Sequence, residues 1–155
     1  MNNPFVRLKH YRSVKIDPRE NHATECLAAC LAFSPRIAAE FIKFLFGDKL
    51  PFVDFSSGVE VNTQHGVGDG WIDLVLIHPP SGYIVVVEAK VGSLEDDPHH
   101  RSQLGKYAAW LAGQKGANGH IFTLVQNPKS DFPFEQYQVK ARRTWKELHE
   151  RFQNV

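Results

Sequence analysis

The chain has 155 residues, of which 43% are hydrophobic, 23% charged and 12% aromatic, with a formal net charge of +1. That balance excludes a disordered tail and a fibrous repeat and suits one domain, over 1–155, with a core of ordinary size. No apolar run approaches the roughly 18 residues of a membrane span, and the opening MNNPFVRLKHYRSVK lacks the apolar stretch of a secretory signal. Cys26 and Cys30 are too few for a disulfide scaffold. The expectation is a soluble, cytoplasmic globular protein with no membrane partner.

Charge is unevenly spread: residues 1–20 carry +3, 21–135 carry −5, and 136–155 carry +3. An acidic centre between basic ends suits a metal pocket flanked by phosphate-attracting surface, and it also suits chance at this length. In chain order, Asn21 is a good cap for a helix through the alanine-rich stretch to Ala32. Ser34-Pro35 restarts a helix, with Ile37, Phe41, Phe44 and Leu45 at helical spacing and Gly47 as its stop. Residues 59–64 alternate weakly as a strand, and Gly66, Gly68 and Gly70 form a turn rather than a phosphate loop, because a strand and not a helix follows them. WIDLVLI (71–77) and YIVVVEAKV (83–91) are strands apolar enough to be covered on both faces, joined by a Pro-Pro-Ser-Gly turn. An acidic loop, an amphipathic helix over 102–113, a strand over 120–126 and a helix capped by Thr144 complete the chain. The order α-α-β-β-β-α-β-α predicts an α/β fold, a central mixed four-stranded sheet flanked by helices, closed by a basic segment and helix over 136–155.

Two carboxylates break the apolar strands: Asp73 interrupts WIDLVLI, and Glu88, with Lys90, ends IVVVEAK. An ionised carboxylate buried without compensation costs several kcal/mol. Glu88 and Lys90 are two apart and share a strand face, and Asp73 lies on the neighbouring strand of the hairpin. A hard divalent cation is one compensation for clustered carboxylates, since Mg²⁺ needs only one or two from the protein. The other is a purely structural ion pair between Lys90 and one of the acids.

These residues resemble the PD-(D/E)XK nuclease superfamily. Asp73, fourteen intervening residues, then Glu88-Ala89-Lys90 match its strand motif, and Gln103-Leu104-Gly105-Lys106-Tyr107 is similar to the QxxxY element of its RecB-like and lambda-exonuclease-like branch. Glu25 stands on the first helix, where many members carry a further acid. The proline of the family name is absent, Ile72 preceding Asp73. The resemblance spans about 21–126 and implies a restriction-endonuclease-like core. It implies Mg²⁺ or Mn²⁺ held by Asp73, Glu88 and the Ala89 carbonyl, with Glu25 on a second ion or a bridging water. Lys90 would orient the attacking water and offset phosphate charge, and Gln103 would hold Lys90 or a metal-bound water. Tyr107 would pack behind the site or touch a phosphate.

The expected activity is metal-dependent hydrolysis of nucleic acid, DNA ahead of RNA. The alternatives are a catalytically silent nuclease-fold binding or assembly module, or the nuclease domain of a longer protein; a homo-oligomer or a further domain is compatible with either. Lys140, Arg142 and Arg143 are candidate phosphate contacts, or simply a soluble face. Glu25 has the plainer reading of a solvent-facing acid near a helix start. His22, Cys26 and Cys30 form one helical stripe that reads as core-facing cysteines rather than a zinc site, and His99-His100 read as part of an exposed loop or, being near the carboxylates, as a phosphate contact.

Overall fold

The computed structural model describes residues 18–92, 97–116, 118–129 and 131–153, so the basic opening over 1–20 lies outside it except for its last three residues. Helix α1 (Pro18–Phe33) starts earlier than the Asn21 cap predicts, with proline at a first turn that does not need its missing N–H. Its buried stripe is Thr24, Glu25, Ala28 and Leu31. The His22, Cys26, Cys30 stripe lies about 170° around the helix from it, and both thiols are exposed, which corrects their expected place in the core. Helix α2 (Pro35–Phe46) forms as predicted, Ser34 accepting from the Ile37 N–H and Gly47 ending the helix at φ 59°.

Strands β1 (Glu60–Val67), β2 (Gly70–His78), β3 (Tyr83–Lys90), β4 (Gly119–Val125) and β5 (Val139–Thr144) make one sheet in sequence order. The first two pairings are antiparallel and the last two parallel, so the sheet is mixed, as the order of elements predicts. It has five strands where four are predicted. β5 reads as a basic segment because Lys140, Arg142 and Arg143 interrupt its pattern, as charged residues do on an edge strand. Helix α3 (Pro98–Ala112) starts four residues before its predicted start, capped by Asp97. Helix α4 (Trp145–Phe152) carries a reciprocal capping box between Thr144 and Glu147.

Two apolar layers enclose the sheet. On one face α1, α2 and α4 set Leu31, Phe41, Ile42, Leu45 and Leu148 against Leu74, Leu76, Val85, Val87, Phe122 and Leu124. On the other, Leu104 and Tyr107 of α3 cover Ile72, Val75, Ile84, Val86 and Ile121. β3 is buried at every residue, consistent with its unbroken apolar run. No helix among the described residues is long and apolar enough to cross a membrane.

One irregularity positions the polar residues. Pairing of β2 with β3 stops at Leu74↔Val87, while β3 continues through Glu88, Ala89 and Lys90 paired to β4. β2 also turns over at the same point. Leu74 joins the α1–α2 core, whereas Ile72, on the same side in a regular pleat, joins the α3 core. Opposite the turnover, Gln64 adopts φ 49°, and ladder pairs resume only on either side of it. β2 therefore leaves β3 at Asp73 and opens a gap into which the end of β3 projects.

Candidate active site

In that gap the Asp73 carboxylate stands where a backbone acceptor would have been. Its Oδ2 accepts the Ala89 N–H at 2.9 Å, and Oδ1 lies 3.5 Å from Gln64 Nε2. The N–H and C=O of a strand residue point the same way, so the Ala89 carbonyl also faces the gap. Glu88 forms the floor at 0% exposure, while Asp73 at 8% and Lys90 at 9% reach the rim. Lys90 Nζ lies 2.8 Å from Glu88 Oε1, an ion-pair contact without aligned hydrogen-bond geometry. The Tyr107 hydroxyl sits 2.8 Å from Glu88 Oε2 and 2.6 Å from the Trp71 carbonyl, sharing its proton between them. Tyr107 is thus an internal clamp on Glu88, wholly buried and remote from any solvent-side phosphate.

The helical acid that reaches this end of β3 is Glu20. Its carboxylate is 3.4 Å from Lys90 Nζ and accepts the Val91 N–H at 3.1 Å. Glu25 is buried on the same helix at 1% exposure, facing the sheet rather than solvent. Gln103 does not hold Lys90: its Oε1 is buried without a hydrogen-bond partner, and Glu88 and Glu20 hold the ammonium instead. His99 and His100 belong to the first turn of α3, not to a loop. His99 is exposed, but His100 is buried at 1% exposure, with Nδ1 3.7 Å from Glu88 Oε1. His100, Gln103 and Tyr107 form one stripe of α3 facing Glu88 and its β4 partner Thr123. Glu20, Gln64, His100 and Thr123 escape sequence reasoning. The Asp17-Pro18 start would have placed Glu20 in a helical first turn, and the spacing of His100, Leu104 and Tyr107 would have extended α3 to His100. Gln64 and Thr123 carry no such signal.

The basic residues of β5 separate by register. Arg142 lies in one row with Thr123 and Glu88, on the α3 side, where it donates to the Lys129 carbonyl at 2.7 Å and stacks over Phe134. Arg143 points to the other face, donating to the Leu45 carbonyl at 3.1 Å. Lys140 is exposed. Sequence grouped these three as one phosphate-binding patch, but both arginines make contacts within the fold.

Burial and the neighbouring Glu88 push the Asp73 carboxyl well above the usual carboxylate range, against the opposing pull of Lys90 and the Ala89 N–H. Burial also raises Glu88, but His100, Lys90 and Tyr107 outweigh it and hold that carboxyl below its ordinary value. Burial works against the Lys90 charge, yet Glu88 and Glu20 raise its affinity for the proton, so it is an ammonium at neutral pH. Burial and Glu88 likewise keep Tyr107 protonated. With Glu88 ionised beside it, Asp73 is the carboxyl that resists giving up its proton, and a cation in the gap would favour its charged form.

The donors that face the gap are oxygens: Asp73 Oδ1, the Ala89 carbonyl and the Glu88 carboxylate, a hard set suited to Mg²⁺ or Mn²⁺. Among the described residues, no three His, Cys, Asp or Glu side chains gather at metal-holding spacing. Two carboxylates and a carbonyl are a donor set of the size that Mg²⁺ takes from a protein.

No protein-family model matches the chain, and no curated protein is similar to it. Among solved structures, a repair endonuclease from Pyrococcus abyssi is similar over 69% of this chain and 46% of that one, at 20% identity and a TM-score of 0.44. The chain spans about half the length of that structure. A likeness so remote carries no argument about activity.

Proposed function

We propose that the chain is a divalent-cation-dependent nuclease that hydrolyses phosphodiester bonds of nucleic acid, DNA ahead of RNA. The observation that carries this reading is the departure of β2 from β3 at Asp73, which sets the Asp73 carboxylate beside Glu88 and Lys90 at the rim of a gap. Asp73, Glu88 and the Ala89 carbonyl would hold Mg²⁺ or Mn²⁺, which when bound lowers the pKa of a water and neutralises phosphate charge. The Lys90 ammonium, fixed by Glu88 and Glu20, aligns the attacking water and offsets the charge that develops on the phosphate. Being protonated, it acts as a donor and not as a base. The Tyr107 hydroxyl holds the Glu88 carboxylate in place from below, with His100 packed beside it.

Plasmid and oligonucleotide cleavage with Mg²⁺ and with Mn²⁺ tests this. Lys90→Ala and Asp73→Ala should each slow cutting by about 10²–10³-fold, the loss typical of removing one transition-state donor. Folded variants that cut as well as the parent would overturn the assignment. A second reading is a catalytically silent binding module, and one observation favours it: both Glu88 oxygens already have neighbours, Tyr107 on one and Lys90 on the other. A cation-dependent rise in melting temperature with no cleavage of any nucleic acid would select that reading.

A further inference from the structure

Trp71 alone among the exposed large apolar residues of the described chain lies on a strand, the others being Phe33 at the end of α1 and Leu50 and Phe52 in the following loop. It is 60% exposed at the start of β2, two residues before Asp73 and so at most about 7 Å from it along the chain. The indole is not a loose side chain. It faces Gly66 across the β1–β2 ladder, and a Cβ at Gly66 would meet Trp71 Cζ3 at 3.5 Å, Cε3 at 3.7 Å and Cη2 at 3.9 Å. The six-membered ring therefore rests against the bare Gly66 backbone. Its main chain is held as firmly: the Trp71 carbonyl and Glu88 Oε2 lie 2.6 and 2.8 Å from one Tyr107 hydroxyl, so they are no more than about 5.4 Å apart.

An aromatic ring supported from below and open to solvent, on a residue whose main-chain carbonyl shares the Tyr107 hydroxyl with Glu88, has the properties of a base-stacking platform. Stacking on an aromatic side chain tolerates any base, because every base has a π face. It needs an uncovered face, which a base pair inside a duplex does not have and a single strand or an extruded base does. We infer that the Trp71 indole stacks an unpaired nucleobase next to the phosphate held at Asp73 and Glu88, so that the preferred substrate is single-stranded DNA. The inference rests on the nuclease reading for the place of cleavage, but stacking itself needs no turnover.

The test uses the whole chain with Trp71→Ala and Trp71→Phe, read first by fluorescence anisotropy of a labelled oligothymidine and of a matched hairpin duplex without divalent cation. The parent should prefer the single strand. Trp71→Phe should stay within about threefold of it, and Trp71→Ala should bind the single strand about 10- to 100-fold more weakly with little change on the duplex. Melting should be nearly unchanged in Trp71→Phe and lowered by no more than about 4 °C in Trp71→Ala, which loses one cross-strand contact with Gly66. With Mg²⁺, a single abasic site walked along the oligonucleotide should suppress cutting at the adjoining phosphate in the parent and have no such effect in Trp71→Ala. Equal binding by parent and Trp71→Ala, a parent preference for the duplex, or no single-strand binding by the parent would each overturn the inference. Trp71-dependent binding without cleavage would leave stacking intact and remove the nuclease reading; Lys90-dependent cleavage indifferent to Trp71→Ala would do the reverse.

Discussion

The two ends of β3 bury polar groups in opposite ways. At the Tyr83 end, the phenol hydrogen-bonds His120 Nδ1, and His78 sits between Ser57 Oγ at 2.7 Å and Ser81 Oγ at 2.6 Å. Phe46 and Phe55 pack edge-on against these rings. Burial pushes the Tyr83 phenol up to about 12, and burial with the charge of Lys140 pulls His120 down, so both members of that bonded pair favour their neutral forms. At the Lys90 end the groups are charged and under-bonded. Glu88 Oε1, both ring nitrogens of His100, Gln103 Oε1 and Thr123 Oγ1 are buried without hydrogen-bond partners. Native interiors leave few such atoms, and several gathered around one carboxylate mark a place arranged for something other than stability. The contrast is between polar groups that bond one another fully and an ion-paired cluster that leaves several buried atoms unbonded.

Matched substitutions can break that comparison. Removing one hydroxyl at each end gives the largest expected difference in activity. Tyr107→Phe should slow cleavage about 10- to 100-fold by freeing the Glu88 carboxylate, whereas Tyr83→Phe should leave the rate within about twofold, both read in initial-rate assays. Comparable losses from both would mean that the two ends do not differ in role. Stability should separate them with opposite signs. In chelator, Asp73→Asn should stabilise the protein by about 1–2 kcal/mol, raising its melting temperature by roughly 2–8 °C, because the amide keeps the Ala89 N–H bond and removes a charge held above its ordinary pKa. Tyr83→Phe should cost about 1 kcal/mol, the worth of its bond to His120, in urea unfolding. A destabilised Asp73→Asn would mean that the carboxylate is compensated without a cation.

The smallest effect is a pH slope. His120 binds its proton less readily in the folded chain than in the unfolded one, so the stability it contributes is present above the ordinary imidazole range and is lost as pH falls through its depressed value. His120→Asn should therefore flatten the decline in stability from pH 7 to 5. The raised Asp73 works the other way, its contribution in the metal-free protein being lost as pH rises through its elevated value. Equal slopes in parent and His120→Asn would remove His120 from the account.

What could be read in advance follows from the range of each interaction. The Ser34-Pro35 start, the Gly47 stop and the Thr144 cap are local backbone chemistry confined to a few residues. β5 was missed because an edge strand needs no alternating pattern when one side of it is unpaired. Sequence reasoning singles out Glu25 and passes over Glu20 because a cap at Asn21 leaves Glu20 outside the helix. Their difference depends on how α1 crosses the end of β3, where Glu20 alone receives the Val91 N–H. The cysteine stripe was misplaced for the same reason, since small apolar-looking residues fit either face of a helix until its neighbours are known.

Sequence by itself determined that two carboxylates and an ammonium interrupt strands too apolar for solvent, because burial of a continuous apolar run is a property of composition and period. Only the tertiary structure decided that β2 parts from β3 at Asp73, that Gln64 takes a left-handed turn opposite it, and that Tyr107, His100 and Glu20 close around Glu88 and Lys90. Those contacts join residues up to seventy positions apart, and their geometry is set by how the layers pack rather than by any local preference of the chain.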